Sequence, residues 1–325
     1  MASRVRRARM RRALSWSAGA VLPGATVVGV AGLRGGAGPW LVRIEGAGDA
    51  AEAILRIGDA SDPADRQRFA TQVAALAHAA CHGVPAPRVI AFDPDGQQAG
   101  ALAVLTTVLP GSSSIPRWPS ADRMRALGAA AARLHAVAMA PRPGLPLRRR
   151  PLADVDFAAP RRLERRSPRT WWTRHRMPGT SSLMADAEDR VRRMPAPAGP
   201  AVFVHGDLWQ GNTIWAGNTL TGMIDWDCAG AGPPGIDLGF LRCDVATMFG
   251  LPAAGQVLAG WQHVSGMRTS DVAYWDTVAA LSTPTDMAEW LPVIHDEGRT
   301  DLDARTVTAR RDTFLHAALG QLHQQ

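Results

Sequence analysis

Apolar positions alternate with polar or small ones over residues 26–34 and 40–45, which predicts two short strands joined by the turn Gly35-Gly36-Ala37-Gly38. Residues 53–57 read as a third short strand. The period then changes. Phe69, Val73, Leu76 and Ala80 recur at helical spacing, so residues 63–82 read as a helix with Asp62 as its cap and Pro63 in its first turn. Residues 88–92 and 101–109 return to strand patterning around the turn at 93–96. Strand, strand, strand, helix, strand, strand is an antiparallel sheet with one helix. The stretch Pro110-Gly111-Ser112-Ser113-Ser114 marks a boundary, and beyond it helical patterns dominate: 120–137, 236–249, 253–266, 270–281 and 301–322. A short β region, 201–227, interrupts them.

The expected organisation is a basic N-terminal tail over 1–21, a sheet-containing lobe over 22–110, and a mainly helical lobe over 111–325. The 325 residues suffice for about two domains. With 46 % hydrophobic and 20 % charged residues the chain can bury a core. No apolar run reaches the ~18 residues of a membrane span, so no membrane partner is expected. The formal net charge is +7, but every basic residue is arginine, and the abundance of Ala, Gly and Pro points to a coding bias; the basicity alone does not argue for nucleic acid. Cys81, Cys228 and Cys243 are too sparse for a disulfide framework and fit a reducing, cytoplasmic setting. The stretch Arg11-Arg12-Ala13-Leu14-Ser15 admits a twin-arginine export reading, but no convincing cleavage site follows, and a solvated basic tail is the expectation.

Chemistry concentrates in one segment. An apolar strand runs into His205-Gly206-Asp207, four residues separate Asp207 from Asn212, and a further strand ends in Ile224-Asp225-Trp226-Asp227. Carboxylate and amide oxygens at strand ends suit Mg²⁺, which completes its octahedron with waters and phosphate oxygens. Asp227 is open between two readings. Were the strand to stay extended, Asp227 would share a face with Asp225 and could touch metal or substrate; a structural hydrogen bond is the other reading.

With the Ile236-Asp237-Leu238 that follows a Gly/Pro turn, this set resembles the aminoglycoside phosphotransferase family, of the protein-kinase-like fold. The Gly-rich hairpin, the Leu55-Arg56 pair and the Gly-Val-Pro-Ala-Pro run at 83–87 agree with it. The resemblance implies an α+β, two-lobed fold with a small antiparallel-sheet N-lobe and a mainly helical C-lobe. It implies an ATP-dependent phosphotransferase, with GTP as the alternative nucleotide, acting on a hydroxyl of a small molecule. Asp207 would be the catalytic base, Asn212 and Asp225 the magnesium ligands, and His205 and Asp237 structural supports of the loop. Gly35 and Gly36 would cover the phosphates, Arg56 would clamp them, and backbone near Thr107 and Val108 would meet the adenine. The chain departs from the family where the helix position that usually carries Glu holds the neutral Gln72, so Arg56 would gain at best an amide hydrogen bond or be oriented by another acid.

Other signals have plainer readings. Gly230-Ala231-Gly232-Pro233-Pro234-Gly235 matches a dinucleotide fingerprint, but its prolines lack N–H donors and it reads as a turn. His78, Cys81 and His82 lack an evident fourth metal ligand. The Arg-rich stretch 142–193, with Trp171-Trp172, reads as a solvated insert, which leaves nucleic acid an unlikely partner. Eight acids against one arginine over 269–304 suggest a cationic or sugar-like acceptor, with Asp286, Glu289, His295 and Asp296 as pocket candidates. Two readings of other classes stand beside the kinase: a nucleotide-binding protein of the same fold with little catalysis, and an Arg-rich nucleic-acid binder.

Overall fold

The computed structural model describes residues 2–33, 38–46, 48–148, 181–268 and 271–322, with nothing said of the side chains of residues 2–6. It falls into two compact units: 1–112 with 143–145 and 214–229, and 113–142 with 146–213 and 230–325. Asp225 thus belongs to the first unit although it follows the His205–Asn212 segment of the second.

The first unit is built on an antiparallel sheet in the order β1-β2-β3-β5-β4. Its strands are β1 (Thr26–Gly32), β2 (Trp40–Gly46), β3 (Asp49–Gly58), β4 (Val89–Asp93) and β5 (Leu102–Thr107). Helices cover both faces, which is why β5 reads as an unbroken apolar run rather than an alternating one. On one face Ala103 and Leu105 join Val42, Ile44, Ala53 and Leu55 against α1 (Ala2–Val21). On the other, Leu102 and Val104 meet Phe69 of α2 (Pro63–Cys81). The Asp62 side chain accepts from the Ala64 N–H at the start of α2, as the sequence predicts.

The expected solvated tail is instead helix α1. Ala13, Ser17 and Ala18 are buried, while Arg7, Arg9 and Arg11 are exposed. Arg12 anchors it to the β4–β5 turn through the carbonyls of Gln97 and Gln98. The fully buried positions are small residues, while Leu14, Trp16 and Val21 pack only partly buried, so the helix carries little of the large-apolar periodicity that marks a packed one.

The second unit is mainly helical: α3 (Ala121–His135), α4 (Ser182–Arg193), α5 (Gly235–Phe249), α6 (Leu251–Ser265), α7 (Val272–Leu281), α8 (Leu291–Asp296) and α9 (Ala304–Leu322). A two-stranded ladder, β6 (Val202–Val204) with β9 (Gly230–Gly232), accompanies them; the pair of β7 (Thr213–Ala216) with β8 (Thr219–Met223) belongs, from Ile214 on, to the first unit. Helix α5 is buried from Ile236 to Met248. A helix hidden on every side must satisfy its polar groups internally. It does so with Asp237, with the bidentate pair Arg242–Asp276 (Nη2 to Oδ2 2.8 Å, Nε to Oδ1 3.0 Å), and in part with Asp244. Gly235 starts α5 against the ring of Trp275, where an added Cβ would lie 2.0 Å from Cδ1.

Candidate active site

The loop that opens with His205-Gly206-Asp207 is held by Asp237. Its two carboxylate oxygens accept consecutive backbone N–H groups, His205 at 2.7 Å and Gly206 at 2.8 Å. Gly206 has φ +77°, a conformation open to glycine, and this turns both N–H groups toward one carboxylate. Asp237 is itself braced by His135, Nε2 to Oδ2 at 3.1 Å. The indole N–H of Trp261 donates to His135 Nδ1 at 3.0 Å. An indole nitrogen only donates, so Nδ1 is the acceptor, Nε2 carries the proton, and His135 donates to Asp237. Every member of this chain is buried. His205 takes part through its ring as well, its Nδ1 accepting the Asp207 N–H at 3.3 Å.

Within the loop, Asn212 Nδ2 donates to the Asp207 carbonyl at 2.8 Å. That bond fixes which end of the amide is nitrogen and makes Oδ1 the atom to offer a cation. Between the two, Gln210 is pinned by Asp244: Oδ2 accepts the Gln210 N–H at 3.1 Å and Nε2 at 3.0 Å. Burial pushes the Asp244 carboxyl up to about 7, against the pull of the Gln210 hydrogen bonds. Sequence reasoning missed Asp244, His135 and Trp261. The available signal for Asp244 was a second acid, after Asp237, inside a mostly apolar helix.

The first unit brings together a second set. Arg56 lies on the α2 face of β3, its guanidinium 5.3 Å from the Phe69 ring centroid. Its Nη1 donates to Gln72 Oε1 at 2.6 Å and to Asp225 Oδ1 at 2.9 Å, and its Nη2 meets Asp227 Oδ2 at 2.5 Å. Both alternatives drawn from Gln72 are therefore realised, an amide bond and orientation by another acid. Burial alone would lower the Arg56 pKa; the carboxylates of Asp225 and Asp227 outweigh it and hold the guanidinium above its ordinary value. Asp225 adopts φ 64°, ψ 59°, the left-handed region that is costly for a residue with a Cβ. The strand does not continue: residues Trp226–Cys228 form a 3₁₀ turn, so Asp227 reaches Arg56 instead of sharing an extended face with Asp225. Trp226 anchors that turn, 1 % exposed, its indole donating to the Met223 carbonyl at 2.8 Å.

The remaining expected positions fare differently. Gly35 and Gly36 lie outside the described residues, as do Trp171 and Trp172. Thr107 is tied to β4, its N–H donating to the Arg88 carbonyl and its hydroxyl accepting the Arg88 N–H, each at 2.9 Å; Val108, just past the strand, is 37 % exposed. Asp286 caps a short turn by accepting the Ala288 N–H at 2.9 Å, and His295 Nε2 bonds the Leu302 carbonyl at 2.9 Å. Asp286, Glu289 and Asp296 are exposed. The buried acid of that region is Glu297, which accepts from the Ser113 hydroxyl at 2.7 Å. In the Arg-rich stretch, α4 neutralises its own charge through Arg190–Asp186, Arg192–Glu188 and Arg193–Asp189.

A buried carboxylate that fixes a His-Gly-Asp backbone, an Asp–Asn loop closed on itself, and a basic side chain clustered with acids agree with the comparison to known proteins. The model of the phosphotransferase enzyme family matches residues 29–281. The chain belongs to that family. It is a phosphotransferase whose acceptor group is an alcohol. Its sequence is 30 % identical over 245 residues to a homoserine kinase from Azorhizobium caulinodans, covering 71 % of this chain and 72 % of that one. A choline/ethanolamine kinase family protein from Mesorhizobium loti has the same fold, with TM-score 0.55 at 19 % identity over 98 % of this chain and 95 % of its own. So does an amicoumacin kinase solved with AMP-PNP and Ca²⁺, with TM-score 0.53 at 14 % identity, covering 89 % of this chain and 87 % of that one. The kinase-like fold with an antiparallel N-terminal sheet and a mainly helical remainder is the one expected from the sequence. Among the described residues no helix is long and apolar enough to cross a membrane, and no group of three or more His, Cys, Asp or Glu is arranged to hold a metal ion.

Proposed function

We infer that this phosphotransferase moves the γ-phosphoryl group of ATP to a hydroxyl of a small molecule, in the cytoplasm. GTP is the alternative donor. The observation that carries the reading is the Asp237 clamp on the backbone of His205 and Gly206, together with the amide bond that sets Asn212 against Asp207. Phosphoryl transfer passes through a loose transition state, so positioned charge does most of the work. Asp207 accepts the proton of the attacking hydroxyl, a role worth about 10²–10⁴ in rate. The clamp holds its backbone so that little reorganisation accompanies the step.

The donor set fits magnesium by its chemistry: an amide oxygen from Asn212 and carboxylate oxygens from Asp225, all hard ligands. Bound there, the ion would neutralise charge on the nucleotide phosphates. Arg56 offers a fork of donors to the same phosphates. Val108 contributes backbone to the adenine, since the Thr107 N–H is already engaged, and Gly35 and Gly36 supply the turn over the phosphates. The relative at 30 % identity is named for homoserine, an amine-bearing alcohol, which favours a small acceptor of that class over a large sugar.

The test is an ADP-release screen over amino alcohols, amino-sugars, macrolides and nucleosides, with Asp207→Asn as control. The reading expects at least one acceptor whose turnover vanishes in the variant. ADP release equal in both proteins for every compound would overturn it.

A further inference from the structure

The acceptor site can be taken further on the strength of that reading. Asp244 sits on α5 seven residues beyond Asp237 and is 1 % exposed. Its Oδ2 holds Gln210, but its Oδ1 has no hydrogen-bond partner, and neither does Oε1 of the same Gln210. Buried polar atoms are nearly always paired, so two such oxygens at one contact call for a donor. Asp244 also lines a cavity of about 10 Å³ whose wall includes Asp207, Trp209, Phe240, Thr283 and Trp290. The catalytic base and the orphaned carboxylate therefore share one hole, and that hole has room for about one water-sized group.

A primary ammonium group matches these features. It carries three N–H donors and no acceptor, whereas a hydroxyl brings a single donor. It is about the size of a water molecule, so it fits where a trimethylammonium cannot. Trp209, Phe240 and Trp290 in the lining supply aromatic surroundings that suit a cation. We propose that this cavity receives the protonated primary amine of the acceptor, with Asp244 as the residue that selects it, while a hydroxyl of the same molecule reaches Asp207. A cation there would favour the ionised form of a carboxyl that burial otherwise holds near neutrality; Glu297 acts on the same carboxyl by repulsion and Arg299 by attraction.

Two readouts test this on the full-length protein. Tryptophan fluorescence, with Trp209 and Trp290 at the cavity, follows titration with ethanolamine, choline or ethylene glycol without nucleotide. Initial rates of ADP release then compare the same compounds with ATP present. Ethanolamine should exceed both glycol and choline by about tenfold to a hundredfold, the value of a charge-assisted hydrogen bond. Asp244→Asn keeps an oxygen for Gln210 and should collapse the ethanolamine-to-glycol ratio toward one. A purely structural Asp244 would lower all compounds together and leave the ratio intact, which overturns the proposal. So would choline binding as well as ethanolamine, or no saturable response to ethanolamine. If ethanolamine binds through Asp244 and no acceptor is ever phosphorylated, the kinase reading fails while the cavity assignment stands.

Discussion

Arg56 draws its orientation from Asp227, and removing that charge should be felt by the nucleotide. Arg56 and Asp227 are 11 % and 9 % exposed, so their contact is not a solvent-screened surface pair. A buried hydrogen bond between charged groups is worth about 1.5–3 kcal/mol, or about ten- to 150-fold in an equilibrium constant. In Asp227→Asn the guanidinium is left leaning on Asp225, the proposed metal ligand 2.9 Å away, and nucleotide affinity should fall by about tenfold or more. Gln72→Glu supplies a diagnostic partner, because the Gln72 oxygen already lies 2.6 Å from Arg56 Nη1. In the parent protein the new glutamate is a third carboxylate around one cation and should destabilise. In the Asp227→Asn background it restores the second carboxylate and should recover affinity. Titration calorimetry with MgATP and urea unfolding of the four proteins give a double-mutant cycle with coupling of about 1–2 kcal/mol. Additivity within about 0.5 kcal/mol, or unchanged nucleotide binding in Asp227→Asn, would refute the reasoning.

Three further outcomes follow from the same geometry. Asp237→Ala strips the partners from the buried His205 N–H, the half-buried Gly206 N–H and the buried His135, and should cost about 3–5 kcal/mol in urea unfolding; a loss below about 1 kcal/mol would deny the clamp. Gly235→Ala drives a Cβ into the Trp275 ring and should lose about 1–3 kcal/mol, read as a lowered melting temperature; an unchanged one would show that the ring can yield. The Asp244 carboxyl is raised from 3.8 to about 7, so the folded state binds the proton more tightly than the unfolded one. Its contribution is therefore fully present below about pH 4 and lost as pH rises through about 7, on the order of 4 kcal/mol in total. The stability of the parent relative to Asp244→Asn should fall between pH 5 and 8, and a flat difference contradicts the shift.

Much of the fold could be read along the chain because its signals are local. Asp62 and Pro63 open α2 where capping chemistry puts them, and β1 to β5 follow the alternating or continuous apolar runs. Helix α1 escaped because alanine and serine make its buried face and arginine its outer one. At the site, the Asp207–Asn212 spacing and the role of Gln72 were legible, since each follows from side-chain type and register. The carboxylate partners of Arg56 were not, because the strand ends in a 3₁₀ turn at Trp226 that no residue of the stretch announces. Asp244, His135 and Trp261 act through contacts between segments far apart in sequence, and only the burial of α5 exposes the need for them. Near the C-terminus, Asp286 caps a turn and His295 bonds the Leu302 carbonyl, local roles that charge counted along the chain does not reveal.

The central claim, that Asp207 serves the chemistry while its neighbours hold the nucleotide, is tested most directly by separating binding from transfer in Asp207→Asn. Calorimetric MgATP affinity and the single-turnover rate of phosphoryl transfer to the best acceptor are measured on the same preparations. The account predicts affinity within a few-fold of the parent and a transfer rate lower by about 10²–10⁴. A variant that transfers phosphoryl groups as fast as the parent would contradict it.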